Sequence, residues 1–279
     1  MEKSLEGKLT IPEIPGTSIE PIDLRLVREW VIEAGRLALS RREVLNSQTK
    51  PDNTLVTSVD RQIENFLTER IGHYYPEHDI LAEEGKNPTR NSEFLWVIDP
   101  IDGTRAYASG LPVWGISIGM FHRGEPWAGV FFMPVTGEMY WGTEKAAYYG
   151  NRPIVPRRAV DIHDPLAFIA VPSNAHNLYE ISFHRIRSLG STAAHLAYVA
   201  CGVATAALTR HIHIWDIAAI LPLLEAADVG LIYLSGKPFQ LQALLDGSSS
   251  PEPVLAAPLC VIEGLRKLIH VKSDRSKIE

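Results

Sequence analysis

The segment WVIDPIDGT carries two aspartates, Asp99 and Asp102, at the end of an apolar run. The run from Trp96 to Ile98 is typical of a buried strand, and Pro100 predicts that the strand ends there because proline has no backbone donor. The DGT that follows is typical of a turn. An ordinary turn after a strand would use the same residues. Whether this segment belongs to a functional site therefore depends on whether other carboxylates lie near it.

Three further acids lie in short segments of similar character. Glu83 ends an apolar stretch in LAEEG, Asp216 lies in IHIWDIAA, and Asp60 lies in TSVD. Each has a structural interpretation. Glu83 suits a solvated turn, Asp216 suits a helix N-cap, and Asp60 fits a capping box with Thr57.

Considered together, four of these acids predict a metal centre. Glu83, Asp99, Asp102 and Asp216 each follow a predicted strand or begin a predicted helix, and sites of α/β proteins assemble at that edge. Four carboxylates in one pocket would repel one another unless cations neutralised them. Oxygen ligands of this kind select Mg²⁺. Two such ions, typically ~3.5–4 Å apart, suit the hydrolysis of a phosphate ester.

Hydrophobic periodicity predicts the elements that position these acids. We expect one helix from Asp23 to about Glu43, a second after TSVD, and an antiparallel meander of strands between the DGT turn and Pro156. Beyond Pro156 strands and helices alternate. The predicted strands are LAFIAV, VATAALT, VGLIYL and VLAAP, and the predicted helices are TAAHLAYVA, IAAILPLLEAAD and a final LCVIEGLRKLIH.

These elements predict a layered α+β or α/β sandwich in two halves. Residues 1–20 form a short N-terminal extension, and a loop lies between the first two helices. Residues 21–156 form an α+β half that carries most of the metal site. Residues 157–279 form an α/β half that completes the active site.

Composition excludes several classes of partner. The chain has 279 residues, 46% of them hydrophobic and 22% charged, with a net charge of -6. It therefore offers no broad basic surface for nucleic acid or an anionic membrane. No apolar run reaches the ~18 residues of a membrane span. The two cysteines, Cys201 and Cys260, are predicted to be core residues, which favours a reducing cytoplasm.

The chain resembles the inositol monophosphatase family, which belongs to a superfamily of metal-dependent, lithium-sensitive phosphatases. The resemblance spans roughly residues 22–270 and consists of LVTSVD, LAEEG, WVIDPIDGT, GST and IHIWDIAA in the expected order. It implies alternating layers of helices and sheets with the site between the halves. It also implies inhibition by lithium and a homodimer.

The resemblance implies a role for each metal-site residue. A first Mg²⁺ would be held by Glu83, Asp99 and the main-chain carbonyl of Ile101. A second would be held by Asp99, Asp102 and Asp216, and a weaker third would lie near Glu83. In the catalytic set of Thr104, Asp60 and Glu83, Thr104 oriented by Asp60 would position the attacking water.

It also implies where the substrate binds. Gly103 and Thr104 would present backbone amides to the phosphate, and the GST segment, Gly190, Ser191 and Thr192, would line the alcohol portion. Thr209 stands seven residues before Asp216, where inositol-specific members carry a glutamate that accepts hydrogen bonds from inositol. We therefore expect inositol 1-phosphate to be a poor substrate.

Three functions remain open from the sequence. The leading one is a Mg²⁺-dependent phosphomonoesterase acting on a small phosphorylated alcohol, such as an inositol monophosphate. An alternative is a phosphatase for a bisphosphorylated nucleotide or sugar, for which Arg105 is a candidate contact to the second phosphate. Another alternative is a non-catalytic binding protein that retains the fold. The physiological substrate and pathway are left undetermined.

Overall fold

The computed structural model of the protein describes residues 18–19, 22–42, 47–49, 55–85, 88, 91–157 and 159–272. The predicted N-terminal extension lies outside these residues except for residues 18–19, and so does most of the loop predicted between the first two helices. None of the helices in these ranges has the length and apolar character that crossing a membrane requires.

Two long helices form the first layer. The apolar spacing predicted both of them, and they are α1 (Leu24–Arg41) and α2 (Ser58–Tyr74). Helix α1 begins after Asp23, whose carboxylate accepts a hydrogen bond from the Arg25 amide at 2.9 Å. Two short hairpins precede the helices, and their strands are β1 (Ser18–Ile19), β2 (Ile22–Asp23), β3 (Ser47–Thr49) and β4 (Leu55–Thr57).

A seven-stranded sheet packs beneath these helices. Its strands are β5 (Asp79–Ala82), β6 (Phe94–Asp102), β7 (Gly115–His122), β8 (Glu125–Met133), β9 (Glu138–Thr143), β10 (Ala147–Tyr149) and β11 (Arg152–Pro153). Strands β5 and β6 are parallel and every other neighbouring pair is antiparallel, in the order β11-β10-β9-β8-β7-β6-β5. The predicted meander is confirmed. The short helix α3 (Thr104–Ala108) follows β6.

The prediction that Pro100 ends the strand is wrong. Strand β6 continues to Asp102, and its pairing with β7 shifts between Asp99 opposite Ser117 and Asp102 opposite Gly115. One extra residue on β6 therefore forms a bulge, a place where a sheet tolerates proline. Both aspartates are thus held by the sheet itself.

The second half contains a five-stranded sheet in the order β14-β12-β15-β17-β16. Its elements are β12 (Ile169–Ala170), α4 (Ala175–Leu178), β13 (Tyr179–Ile181), β14 (Ile186–Arg187), α5 (Thr192–Ala200), β15 (Ala206–Thr209), α6 (Ile214–Ile217), α7 (Leu221–Ala226), β16 (Val229–Tyr233), β17 (Val254–Pro258), α8 (Ile262–Arg266) and β18 (Ile269–Val271). Strand β12 is parallel to β14 and β15, whereas β17 is antiparallel to β15 and β16. Helix α5 spans the residues predicted for it.

Two predicted helices differ in the structure. Of the segment IAAILPLLEAAD, only Leu221–Ala226 is helical as α7, because α6 already ends at Ile217 and Pro222 lies in the first turn of a new helix. The final segment forms only the five-residue α8 and then the strand β18, which pairs antiparallel with β13. Pairing with a distant strand has overridden the local helical pattern.

Helices α5, α6 and α7 fill the space between the two sheets. Buried Leu223 and Ala194 of these helices share one core with Phe131 of β8. The turn between α6 and α7 approaches the first sheet closely, since a Cβ on Gly119 would lie 2.3 Å from Ala218 Cβ and one on Gly129 would lie 2.1 Å from Ala219 O. Alternating helix and sheet layers result, which confirms the predicted layered fold.

Both cysteines are free, Cys201 half-buried and Cys260 exposed. The prediction that both are core residues is wrong for Cys260. Strand β17 ends at Pro258, and Cys260 lies in the turn that follows it.

Candidate active site

The structure brings the four predicted acids to one cavity. Asp99, Asp102 and Asp216 each offer a carboxylate oxygen, and these oxygens all lie within 4.8 Å of one another. Glu83 follows the carboxyl end of β5, and together with Ile101 it lines the same cavity of about 420 Å³. The ends of β5 and β6 in the first sheet therefore meet the short helix α6 at this cavity.

Burial and mutual repulsion make the cluster unfavourable in its charged form. Burial raises the pKa of Asp99 well above its ordinary value, and the charges of Glu83, Asp102 and Asp216 raise it further. Burial and the charge of Asp102 likewise raise the pKa of Asp216. A cation among these oxygens would remove the repulsion and hold the carboxylates ionised.

Asp102 is held from the second half of the chain. Its carboxylate accepts hydrogen bonds from the Ser191 hydroxyl and, at 3.2 and 3.0 Å, from the backbone amides of Thr192 and Ala193. Burial raises the pKa of Asp102 to about 6, while these hydrogen bonds oppose the shift. Ser191, buried at the N-cap of α5, thus positions Asp102 in addition to lying beside the predicted substrate region.

Asp216 has a comparable support. Its Oδ2 accepts the His213 backbone amide at 2.6 Å, which fixes the first turn of α6. The His213 ring stacks on Trp215 with centroids 4.5 Å apart, and its Nδ1 lies 3.0 Å from the Gly247 carbonyl. His213 therefore serves a structural purpose.

Thr104 lies between two oxygen atoms of the site. Its hydroxyl Oγ1 is 3.3 Å from Asp60 Oδ1 and 3.1 Å from the Ile101 carbonyl oxygen. The predicted capping box is present, so Asp60 also accepts hydrogen bonds from the hydroxyl and amide of Thr57. Burial raises the pKa of Asp60, and the Thr57 hydrogen bonds oppose that rise.

Glu64 is a supporting residue that the sequence reasoning missed. Its buried carboxylate accepts the Glu84 backbone amide at 2.7 Å and so fixes the turn that carries Glu83. Glu64 follows Asp60 by four residues on α2, so both acids lie on one helix face. This spacing of two acids on α2 was the sequence signal by which Glu64 could have been found.

Two glycines allow the DGT and GST segments to pack together. Gly103 has φ of +94° and Gly190 has φ of +109°, both in the region that side chains rarely adopt. A Cβ on Gly103 would lie 2.9 Å from the Gly190 carbonyl oxygen, and one on Gly190 would lie 2.7 Å from Ala106 Cβ.

We expect Gly103→Ala to lower the free energy of unfolding by ~1–3 kcal/mol, because the new methyl meets both a strained φ and a backbone oxygen. Urea unfolding followed by fluorescence measures the change. Gly72→Ala is the matched control, since Gly72 lies in the last turn of α2 and a Cβ there meets nothing within 4 Å. An unchanged midpoint for Gly103→Ala would show that the close packing of the two segments is relaxed in solution.

A second cavity of about 390 Å³ adjoins the first, and the two share Arg105, Ser173, Gly190 and Thr192. Thr209 lines this second cavity, and its hydroxyl donates to the Val254 carbonyl at 3.2 Å. The predicted substrate contacts are therefore divided between the two cavities. Gly103 and Thr104 lie in the carboxylate cavity, Ser191 and Thr209 in the second one, and Gly190 and Thr192 at the junction.

Comparisons with known proteins show the family of the chain. A model of the inositol monophosphatase family matches residues 19–259. The inositol-1-monophosphatase of Bacillus subtilis is 32% identical over 228 residues, which cover 77% of this chain and 86% of that protein. The histidinol-phosphatase of Chlorobaculum parvum is 29% identical over 237 residues, which cover 81% and 89%.

A solved IMPase/NADP phosphatase, complexed with Mg²⁺ and phosphate, has a TM-score of 0.75 and 22% identity, covering 88% of this chain and 93% of that chain. The layered fold, the carboxylate cavity and these likenesses define the class of the protein, a phosphoric monoester hydrolase. More narrowly, the chain belongs to the inositol monophosphatase family, whose members depend on metal ions.

Proposed function

We propose that the protein is a Mg²⁺-dependent phosphomonoesterase that hydrolyses a small phosphorylated alcohol. The observation that carries this proposal is the cluster of Asp99, Asp102 and Asp216, whose oxygens lie within 4.8 Å of one another in a cavity open to substrate. An all-oxygen donor set of carboxylates, with Asp99 and Asp102 buried and Asp216 half-buried, fits a hard divalent cation.

The residues would divide between two ions. Glu83, Asp99 and the Ile101 carbonyl would hold the first, and Asp99, Asp102 and Asp216 the second, with room for a weaker third beside Glu83. When bound, such ions neutralise the carboxylates and act as Lewis acids toward a phosphoryl group.

Thr104 and Asp60 supply the proton chemistry. As Thr104 Oγ1 accepts a proton from the attacking water, its own proton passes to Asp60 Oδ1, 3.3 Å away. Burial raises the pKa of Asp60, which favours its accepting that proton. Gly103 and Thr104 line the cavity where the phosphate would bind.

Phosphate release from a panel of monoesters, with and without Mg²⁺, tests the proposal. We expect release that depends on Mg²⁺ and is abolished by EDTA. A protein that binds these esters and releases no phosphate at saturating Mg²⁺ would instead be the non-catalytic binding protein of the same fold.

We expect stabilisation by Mg²⁺ to be larger at pH 7.5 than at pH 5.5. Without metal, an acid whose folded pKa is raised stabilises the protein at low pH, and this contribution is lost as the pH rises through that pKa. Asp102, with a pKa of about 6, and the more strongly shifted Asp99 and Asp216 must lose protons to bind Mg²⁺. At about 100 times its dissociation constant, Mg²⁺ should contribute ~2.7 kcal/mol, or several degrees in Tm.

Thermal melts with MgCl₂ and with NaCl of equal ionic strength measure this difference. If Mg²⁺ raised the Tm equally at the two pH values, binding at these carboxylates would be contradicted.

We propose that inositol 1-phosphate is a secondary substrate. Thr209 offers a single neutral hydroxyl, already used toward Val254, in place of a carboxylate acceptor. A lost charge-assisted hydrogen bond is worth ~1.5–3 kcal/mol, so Thr209→Glu should raise kcat/KM for inositol 1-phosphate about tenfold or more. Thr209→Gln, which is similar in size and uncharged, is the control. A wild-type preference for inositol 1-phosphate would show that Thr209 does not set specificity.

The cytoplasmic location and the homodimer stay predictions. Light scattering of the purified protein tests the dimer.

A further inference from the structure

The second cavity differs in charge from the first. Glu83, Asp99, Asp102 and Asp216 line the first cavity, whereas no carboxylate is found among the described residues that line the second. Two arginines line the second cavity: Arg210, which lines only this one of the two, and Arg105, which lines both. Since the chain as a whole carries a net charge of -6, a cavity with two arginines and no carboxylate among its described lining residues differs from the general surface.

The remaining walls of this cavity suit a polar ligand. His195 is buried and lines the cavity, and its Nε2 accepts the Leu189 backbone amide at 3.0 Å. Burial lowers the pKa of His195 to about 4, so the ring is neutral at physiological pH with its proton on Nδ1. At the same cavity the Ser188 hydroxyl donates to the Ser173 hydroxyl at 3.3 Å, which leaves the Ser173 proton as a donor.

An apolar surface completes the cavity. Val171 and Leu208 line it and are buried, which provides a rigid floor beneath the polar groups. A mainly apolar floor with a few converging polar groups is typical of a site for a small molecule.

The position of Arg105 links the two cavities. It directly follows Thr104, it begins helix α3 with that residue, and it lines both cavities. A phosphate ester whose phosphoryl group lies among the carboxylates would therefore extend its alcohol portion past Arg105 toward Arg210.

Resting on the function proposed above, we infer that the second cavity binds a second anionic group, a phosphate or a carboxylate, on the alcohol portion of the substrate. Arg105 and Arg210 would recognise it through charge-assisted hydrogen bonds. The substrate class is then a small phosphate monoester with a second anion. An ester with an amine in that place, such as histidinol phosphate, would be repelled.

Two pairs of esters test this inference. Glycerol 3-phosphate and 3-phosphoglycerate differ by a carboxylate, and fructose 1-phosphate and fructose 1,6-bisphosphate differ by a phosphate. We expect the wild type to show a kcat/KM about tenfold higher for the doubly anionic member of at least one pair, and the pair that shows it identifies the group. This ratio should fall with added salt, since both arginines are exposed.

Arginine variants test whether the second cavity causes the preference for the doubly anionic ester. Arg210→Gln should lower the ratio about tenfold, and Arg210→Lys should retain much of it because the charge is kept. Arg152→Gln, at an exposed arginine of β11 that lines neither cavity, should leave the ratio unchanged. Thermal melts verify that each variant is folded.

The two proposals fail in different ways. Equal kcat/KM within both pairs, a preference for histidinol phosphate, or an unaltered ratio in Arg210→Gln would overturn the second-anion site while leaving the phosphatase intact. Release of phosphate from none of the esters at saturating Mg²⁺ would overturn the proposed function, and the site that rests on it.

Discussion

Asp99→Asn is expected to abolish phosphatase activity. Asp99 is buried at the bulge of β6, among the oxygens of Asp102 and Asp216, and it is the carboxylate that both proposed ions would share. An amide supplies neither the charge nor a second anionic oxygen, so the pair of cations could not be held. We expect a loss of at least ~10³-fold in kcat/KM, measured as phosphate release at saturating Mg²⁺.

The stability of this variant provides a second readout. Without metal, its free energy of unfolding should rise or stay level, because one member of a repelling acidic cluster has been removed. Asp79→Asn is the matched control, since Asp79 is a buried aspartate of β5 that does not line the carboxylate cavity. Near-normal turnover in folded Asp99→Asn would refute the proposed site.

Thr104→Ala is expected to lower kcat by ~10²–10³-fold, within the usual range for a group that assists proton transfer. The Mg²⁺ concentration needed for half-maximal activity should change much less. The reason is that the Thr104 hydroxyl is not itself a proposed metal ligand. It donates to one such ligand, the Ile101 carbonyl, at 3.1 Å, and that carbonyl stays in place when the hydroxyl is removed. Steady-state kinetics over a Mg²⁺ titration separate the two effects.

Thr104→Ser retains the hydroxyl and should keep most of the activity, which makes it the matched control. If Thr104→Ala merely weakened Mg²⁺ activation and left kcat at saturating Mg²⁺ intact, Thr104 would support the metal and would not position the water.

Local patterns in the sequence predicted the elements that carry the acids of the proposed site. Asp99 and Asp102 lie at the end of β6 and Glu83 directly follows β5, and the apolar character of both strands is visible in the sequence. The capping box of Asp60 is encoded within four residues. The local structure that such patterns predict depends mainly on neighbouring residues, so it is found in the folded protein. The same holds for α5, which spans the predicted residues.

Contacts between distant segments were not predictable in this way. The hydrogen bond from Ser191 to Asp102 joins residues 89 positions apart, and the sequence around neither residue predicts this contact. The pairing of β18 with β13 likewise replaced a predicted helix. The bulge that carries Pro100 depends on the register with β7, which the strand alone does not specify.

A crystal structure of the protein grown with Mn²⁺, a hard divalent ion that scatters anomalously, tests the central claim most directly. The account predicts anomalous peaks in contact with the carboxylates of Asp99, Asp102 and Asp216, together with Mn²⁺-supported phosphate release by the same preparation. An active preparation whose Mn²⁺ ions lie elsewhere, with no anomalous peak at these three carboxylates, would contradict it.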